Sequence, residues 1–162
     1  MLDALDFKIL EALQQEGRLS NQALAERVGM STSACWRKVK QLEDDEVIRG
    51  YGATVDRRQV DLGVLAFIRV KIDGHSDKEA QQFEADVLQL QEVVSCYTIA
   101  GDADFLLQVA IRDLDSYSDF ATTVLRRLPR IKEMQTTFVL KEIKPFSGWP
   151  LGSTRRPQRR PE

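Results

Sequence analysis

The residues between Ser31 and Gln41 bring together side chains suited to one kind of chemistry. Ser31, Thr32 and Ser33 offer hydroxyls, Arg37, Lys38 and Lys40 offer cations, and Gln41 offers an amide. A planar guanidinium matches guanine O6 and N7, and an amide matches adenine N6 and N7 in the DNA major groove. Hydroxyls and ammonium groups suit phosphate oxygens, which position a protein on the duplex without specifying sequence. Residue types for other chemistry are sparse. The single histidine, His75, lies in a Gly-His-Ser loop, and Cys35 and Cys96 both sit in apolar patterns. That leaves little for zinc or for histidine-based catalysis, so neither metal nor cofactor is expected.

The element that must position these groups is a helix. Ser31 is a good N-cap, and Cys35, Val39 and Leu42 fall on one apolar face at spacings of four and three. Ser33, Arg37, Lys40 and Gln41 lie roughly opposite, with Lys38 on the flank. Before it, Ser20 caps a helix with Leu24, Ala25 and Val28 on one face, and Gly29 supplies the turn. A still earlier helix opens at Asp3 or Asp6, carries a stripe of Leu2, Leu5, Ile9 and Leu13 flanked by Leu10, and stops at Gly17. The three together predict a trihelical unit in which the last helix has an apolar back and a polar, basic front, the arrangement a major-groove reader requires. Val47 to Val55 is rich in β-branched and aromatic residues and predicts a wing or a strand leading away.

At 162 residues the chain suits one sizeable or two small domains. A net charge of -2 excludes a protein that coats nucleic acid through bulk positive charge, but not a specific reader with a local basic patch. Here that patch is modest, because the acidic run Glu43, Asp44, Asp45 and Glu46 follows at once. No apolar run approaches the length of a membrane span and no signal peptide is visible, so no membrane partner is expected and a cytoplasmic location is. Two free thiols fit a reducing compartment. We place the first domain at residues 1–55, a linker at 56–63, the second domain at 64–146, and a disordered Arg/Pro-rich tail at 147–162. Arg155, Arg156, Arg159 and Arg160 in that tail suit solubility first and a weak electrostatic arm second.

The second half changes period. Ala66, Ile68, Val70 and Ile72 alternate with Phe67, Arg69, Lys71 and Asp73, a strand pattern. Asp77 opens a helix with Ala80, Phe83, Val87 and Leu90 facing inward. Strands follow at Val93–Ala100 and Phe105–Ile111, joined by the turn Gly101-Asp102-Ala103-Asp104. Leu114, Tyr117, Phe120, Ala121, Val124 and Leu128 then make an amphipathic helix, which Pro129 ends, and a last strand runs from about Ile131 to Ile143. The order β-α-β-β-α-β is the split ferredoxin-like arrangement. The fold class is therefore α+β, with a helix–turn–helix domain, winged if the 47–55 stretch pairs, ahead of a ferredoxin-like domain. The strands offer apolar residues to both sheet faces, Leu106 and Ala110 against Phe105, Leu107 and Val109. A solvated second face would thus expose a large apolar patch, which predicts a homodimer packed sheet to sheet.

The stretch LAERVGMSTSACWRKVKQLEDDEVIRGY, joined to a β-α-β-β-α-β domain containing AGDADFLLQV, resembles the leucine-responsive/asparagine-regulator (Lrp/AsnC) family of transcription regulators. The likeness runs from about Leu2 to Lys144. It implies a recognition helix from Ser31 to about Asp44, double-stranded DNA carrying a loosely palindromic operator as partner, and dimers that join into tetramers or octamers. It also implies a small amino acid as effector. Gly101, Asp102 and Asp104 match the family's Gly-Asp-x-Asp motif near the effector pocket, where a carboxylate beside a glycine turn suits an ammonium and a carboxylate. The same residues would also make a good hairpin turn. Leu114, Phe138 and Val139 match positions that shape the pocket wall, and plain core packing competes for each of them. Two other readings stay open here. One is an enzyme like the siroheme decarboxylases, which resemble this family but would draw on histidine and arginine near the sheet. The other is an amino-acid sensor or adaptor that binds no DNA.

Overall fold

Ser20 and Ser31 begin their helices as their types suggest. The Ser20 hydroxyl accepts from the Ala23 N–H at 3.2 Å and the Ser31 hydroxyl from the Ala34 N–H at 3.4 Å. In this computed structural model, which describes residues 2–73, 77–128 and 131–151, α1 spans Ala4–Gln15, α2 Asn21–Val28 and α3 Thr32–Asp44. His75, Pro129, Arg155, Arg156, Arg159 and Arg160, singled out above, lie outside the described residues. Asp3 caps α1 in a full capping box with Asp6. Gly29 ends α2 at φ 73°, a left-handed conformation costly for a residue with a β-carbon, while the Met30 N–H reaches back to the Ala25 carbonyl at 2.9 Å.

The chain divides into two units, one holding the residues up to Thr54 together with the stretch from Lys144, the other Val55–Ile143. In the first unit Leu24, Ala25, Val28, Cys35, Val39 and Leu42 are buried as expected. The face of α1 is rotated from its expected stripe. Asp6, Ile9 and Ala12 are buried, whereas Leu2 is exposed and Leu5, Leu10 and Leu13 only partly covered. Small Ala12 admits close helix approach, and Asp6 turns inward because it finds a cation there.

Two further expectations are corrected in this unit. Val47 to Val55 forms no strand; it is an extended segment held at its start by the Ile48 N–H on the Leu42 carbonyl (2.9 Å) and by the Tyr51 hydroxyl on Glu43 (2.9 Å). The disordered tail does not begin at Ser147. Residues 144–151 lie on α1, where Gln14 accepts from the Trp149 N–H at 2.6 Å and donates to the Trp149 carbonyl at 3.1 Å, and Phe146 meets Trp149 edge to face.

The second unit opens with a short 3₁₀ turn, Arg57–Val60, where a free linker was expected; the Arg57 guanidinium bonds the Leu62 and Gly63 carbonyls, both at 2.8 Å. Then come β1 (Val64–Ile72), α4 (Asp77–Val87), β2 (Val93–Thr98), β3 (Phe105–Ile111), α5 (Leu114–Asp119) and β4 (Ile131–Phe138). The sheet order is β2-β3-β1-β4, every neighbour antiparallel, as the ferredoxin-like reading requires. Ile68, Val70, Ile72, Phe105, Leu107, Val109 and Ile111 turn to the core, where Phe83 and Val87 from α4 and Phe120 from α5's continuation meet them.

The helix after Leu114 departs from the expected single amphipathic run. After Asp119 it widens into a π-helical stretch, Phe120–Val124, and closes in a 3₁₀ turn, Leu125–Arg127. A wider turn displaces the following residues around the axis. Leu125 consequently becomes fully buried, and Val124 and Leu128 are left at the margin of the core. Leu125→Ala is therefore expected to cost about 2–5 kcal/mol of second-unit stability and Leu128→Ala well under half of that, by urea denaturation followed by circular dichroism. Equal costs at the two positions would contradict the shifted register.

Candidate functional site

Helix α3 presents its two faces as its sequence pattern requires. Cys35, Val39 and Leu42 are buried behind it, while Ser31, Thr32, Ser33, Arg37, Lys40 and Gln41 are exposed in front. Burial raises the Cys35 thiol above its ordinary range, and burial with Glu84 nearby does the same for Cys96, so both remain neutral thiols. Lys40 reaches Asp44 at 3.0 Å one turn along, and that hydrogen bond raises its pKa. Both partners are more than half exposed, so the pair is weak and readily exchanged for another anion.

Lys38 is the exception among the expected DNA contacts. Its ammonium lies 2.7 Å from Asp3 Oδ2 and 2.7 Å from Asp6 Oδ1, with the lysine side chain only 23% exposed. It joins α3 to the N-terminus of α1 by pairing with both carboxylates of the capping box there. Two carboxylates thus already satisfy the charge that was expected to meet phosphate, and releasing it would strand buried Asp6. Trp36, which the sequence reading passed over, stands half-exposed on the opposite flank of the front face. Its signal was legible, as one large aromatic among polar residues on a face that needs none for packing. An open hollow of about 580 Å³ there is lined by Asn21, Thr32, Ser33, Trp36 and Arg37.

On the second unit, Gly101 adopts φ 138° and exposes the Gly101–Asp102 turn at the mouth of β3. The turn borders an open hollow of about 590 Å³, shared with Phe67 and Arg69 of β1, Ile99, Leu106 of β3 and Thr137 of β4. Arg69 and Asp102 bring opposite charges to its rim, beside the apolar Phe67, Ile99 and Leu106. Asp104 does different work. Its carboxylate accepts from the Ile72 N–H at 2.9 Å and its own N–H donates to the Val70 carbonyl at 3.0 Å, so it fastens the turn to the end of β1.

Leu114, Phe138 and Val139 do not join Gly101, Asp102 and Asp104 within one chain. The Val139 N–H bonds the Leu65 carbonyl at 2.9 Å, Phe138 packs edge-on against Tyr117 with centroids 4.9 Å apart, and exposed Leu114 follows the far end of β3. Leu65 pairs with Ala110 while Val70 pairs with Phe105, so the two sets occupy opposite ends of β3. Six residues of extended strand put them about 20 Å apart.

Among the described residues no cluster of histidine, cysteine, aspartate or glutamate suits a metal ion, and no helix is long and apolar enough to cross a membrane. Residues 65–149 match the Lrp/AsnC ligand-binding domain model, and residues 2–49 match a winged helix-turn-helix DNA-binding model. The DNA-binding transcriptional activator DecR of Escherichia coli K12 is 34% identical over 151 residues, 93% of this chain and 99% of that protein. The leucine-responsive regulatory protein of the same organism is 34% identical over 143 residues, 88% of this chain and 87% of that one. A crystal structure of a Neisseria meningitidis transcriptional regulator in complex with L-Met superposes with a TM-score of 0.88 at 42% identity, covering 94% of this chain and 98% of that one.

The ion cluster carries a pH signature. The Lys38 hydrogen bond holds Asp3 down at about 2 against 3.8 unfolded, so its contribution is complete above pH 3.8 and lost as the pH falls through about 2. The hydrogen bond to Asp3 raises Lys38 above 10.5, so its share is complete below pH 10.5 and lost at higher pH. Lys38→Met should destabilise the first unit by about 1–3 kcal/mol at neutral pH by leaving Asp6 unpaired. Both tryptophans, Trp36 and Trp149, belong to that unit, so their fluorescence reports it selectively. The gap between wild type and variant should narrow below pH 3.8, and a gap independent of pH would contradict the pairing.

Proposed function

The chain belongs to the Lrp/AsnC family of DNA-binding transcription regulators, and from that premise we propose that it reads a loosely palindromic operator through paired α3 helices, under control of a small amino acid bound beside the Gly101–Asp102 turn. The observation that carries the DNA reading is the front of α3. Arg37, Ser33, Gln41 and Lys40 stand exposed over a back that is fully buried, and Lys38 fixes the helix from one side. Arg37 is the base-reading residue, since its fork fits guanine O6 and N7. Ser31, Thr32 and Ser33 at the start of the helix meet phosphate, aided by the helix dipole, and Lys40 exchanges Asp44 for phosphate. Lys38 acts indirectly, through the attitude of the helix.

The open face of the sheet carries Phe67, Leu106 and half-exposed Tyr97, which suits a second copy of the chain. A two-fold dimer built there would space the recognition helices one helical turn of DNA apart or a multiple of it. Pairing of dimers into a tetramer or octamer would bring Leu114, Phe138 and Val139 of one chain toward the turn of another. The Neisseria regulator is a complex with L-Met. In this chain Arg69 suits an amino acid's carboxylate, Asp102 its ammonium, and Phe67, Ile99 and Leu106 an apolar, sulfur-containing or aromatic side chain. Such a ligand shifts DNA binding only by its differential affinity for two arrangements, typically about 1–3 kcal/mol of coupling.

On an operator isolated from random duplex DNA, Arg37→Ala should cost about 1–3 kcal/mol and relax one consensus position. Lys38→Met should leave the salt slope of the folded protein unchanged, because it removes no phosphate contact. Unaltered specificity in Arg37→Ala, or a flattened salt slope in Lys38→Met, would overturn these roles.

A thermal-shift screen of the standard amino acids tests the effector. An apolar one should raise the melting temperature of wild type by mass action and act more weakly on Asp102→Asn, whereas Asp104→Ala should melt lower with or without ligand. If no amino acid shifts wild type, or Asp102→Asn responds as wild type does, the turn is a hairpin and no more.

A further inference from the structure

Trp36 is the largest exposed side chain on α3; one side of the indole borders a small hollow over Leu13, Leu24 and Val39, and that contact leaves the rest of the ring uncovered. The back of the helix is closed by Cys35, Val39 and Leu42, while the indole remains 52% exposed. An aromatic left in water on a helix otherwise fronted by serine, arginine, lysine and glutamine forgoes burial that a core position would supply. Beside it lies the hollow lined by Asn21, Thr32, Ser33 and Arg37. The accessible lining of that hollow is almost wholly apolar, although all five of its residues carry polar groups. An apolar recess on the DNA-facing front, with a guanidinium at its rim, selects among the features a major groove displays. Phosphates and base-edge donors or acceptors gain nothing from an apolar wall. The one apolar group that base edges present in the major groove is the C5-methyl of thymine.

We propose that Trp36 specifies a thymine in each half-site through its C5-methyl, next to the guanine read by Arg37. Adjacency follows from the structure, because Trp36 and Arg37 line the same hollow. The inference rests on the DNA reading above and adds a second determinant to it. Removing one methyl from a closed apolar contact costs about 0.8 kcal/mol, a loss of about fourfold in affinity.

The test replaces each thymine of an operator selected from random DNA with deoxyuridine, one at a time, which deletes the methyl and leaves every hydrogen-bonding group in place. Binding of the full chain is measured for wild type, Trp36→Ala and Trp36→Phe, with Arg37→Ala as the reference for guanine reading. Wild type should lose about fourfold at one thymine per half-site, beside the Arg37-dependent guanine. Trp36→Phe should keep part of that sensitivity, and Trp36→Ala should bind thymine and deoxyuridine alike while still discriminating at the guanine. A protein that enriches a consensus and responds to Arg37→Ala, yet is indifferent to every methyl or equally sensitive in Trp36→Ala, overturns this inference alone. A protein that enriches no sequence overturns the DNA reading with it. Trp36 is half-exposed, so Trp36→Ala should fold, and its circular dichroism should match that of wild type.

Discussion

The Lys38 ammonium lies between the carboxylates of Asp3 and Asp6, 2.7 Å from each, and the presentation of α3 depends on that contact. The apolar back of the helix is narrow: Cys35, Val39 and Leu42 hold it against α1 and α2 but leave its roll about its own axis weakly set. Apolar contact is non-directional, whereas a cation shared by two carboxylates is not. Lys38 fixes one flank through α1, and on the other side Tyr51, its hydroxyl pushed up to about 12 by burial and the Glu43 carboxylate, stays protonated and donates to Glu43. Between those two ties the front face has one attitude, and on it Trp36 and Arg37 meet at one hollow.

The second unit follows the same logic with a carboxylate in the directional role. Strands β1 and β3 would pair without Asp104, but their ends would fray into the turn. By accepting from the Ile72 N–H, Asp104 converts a flexible glycine turn into a fixed rim, and Asp102 is thereby held at the hollow while its own carboxylate stays in solvent. One aspartate of the motif braces the turn and the other stands exposed at the hollow. The core behind the sheet is continuous, from Phe83 against Phe105 to Leu125, so the rim stands on a rigid base.

Much of this was legible in the sequence, because it rests on periodicity and on caps. The three helices, the strand order, both serine caps and the Gly29 turn follow from local spacing. The ion pairs of Lys38 were not legible because a helical wheel places it on the flank without saying what lies beside that flank, and the partner carboxylates stand more than thirty residues earlier. The bracing bond of Asp104 was hidden for a similar reason, since its amide partner belongs to another strand. Leu125 escaped because a π-helical stretch breaks the period on which the amphipathic count relies. Residues 147–151 looked like the start of a tail because proline, glycine and serine suggest disorder, whereas Trp149 finds a two-way partner in Gln14 at the other end of the chain. Each miss is a contact distant in sequence or a change of helical period.

The central claim, that α3 reads the major groove from the face fixed by Lys38, meets its most direct test in methylation interference on a selected operator. Dimethyl sulfate marks guanine N7 in the major groove and adenine N3 in the minor groove, so the two grooves are interrogated in one experiment. The account predicts that methylation of a guanine in each half-site blocks binding of wild type, that Arg37→Ala loses this interference at that guanine, and that adenine methylation has no effect there. Interference from adenine N3 at the half-site centres, with guanine N7 silent and Arg37→Ala unchanged, would contradict it.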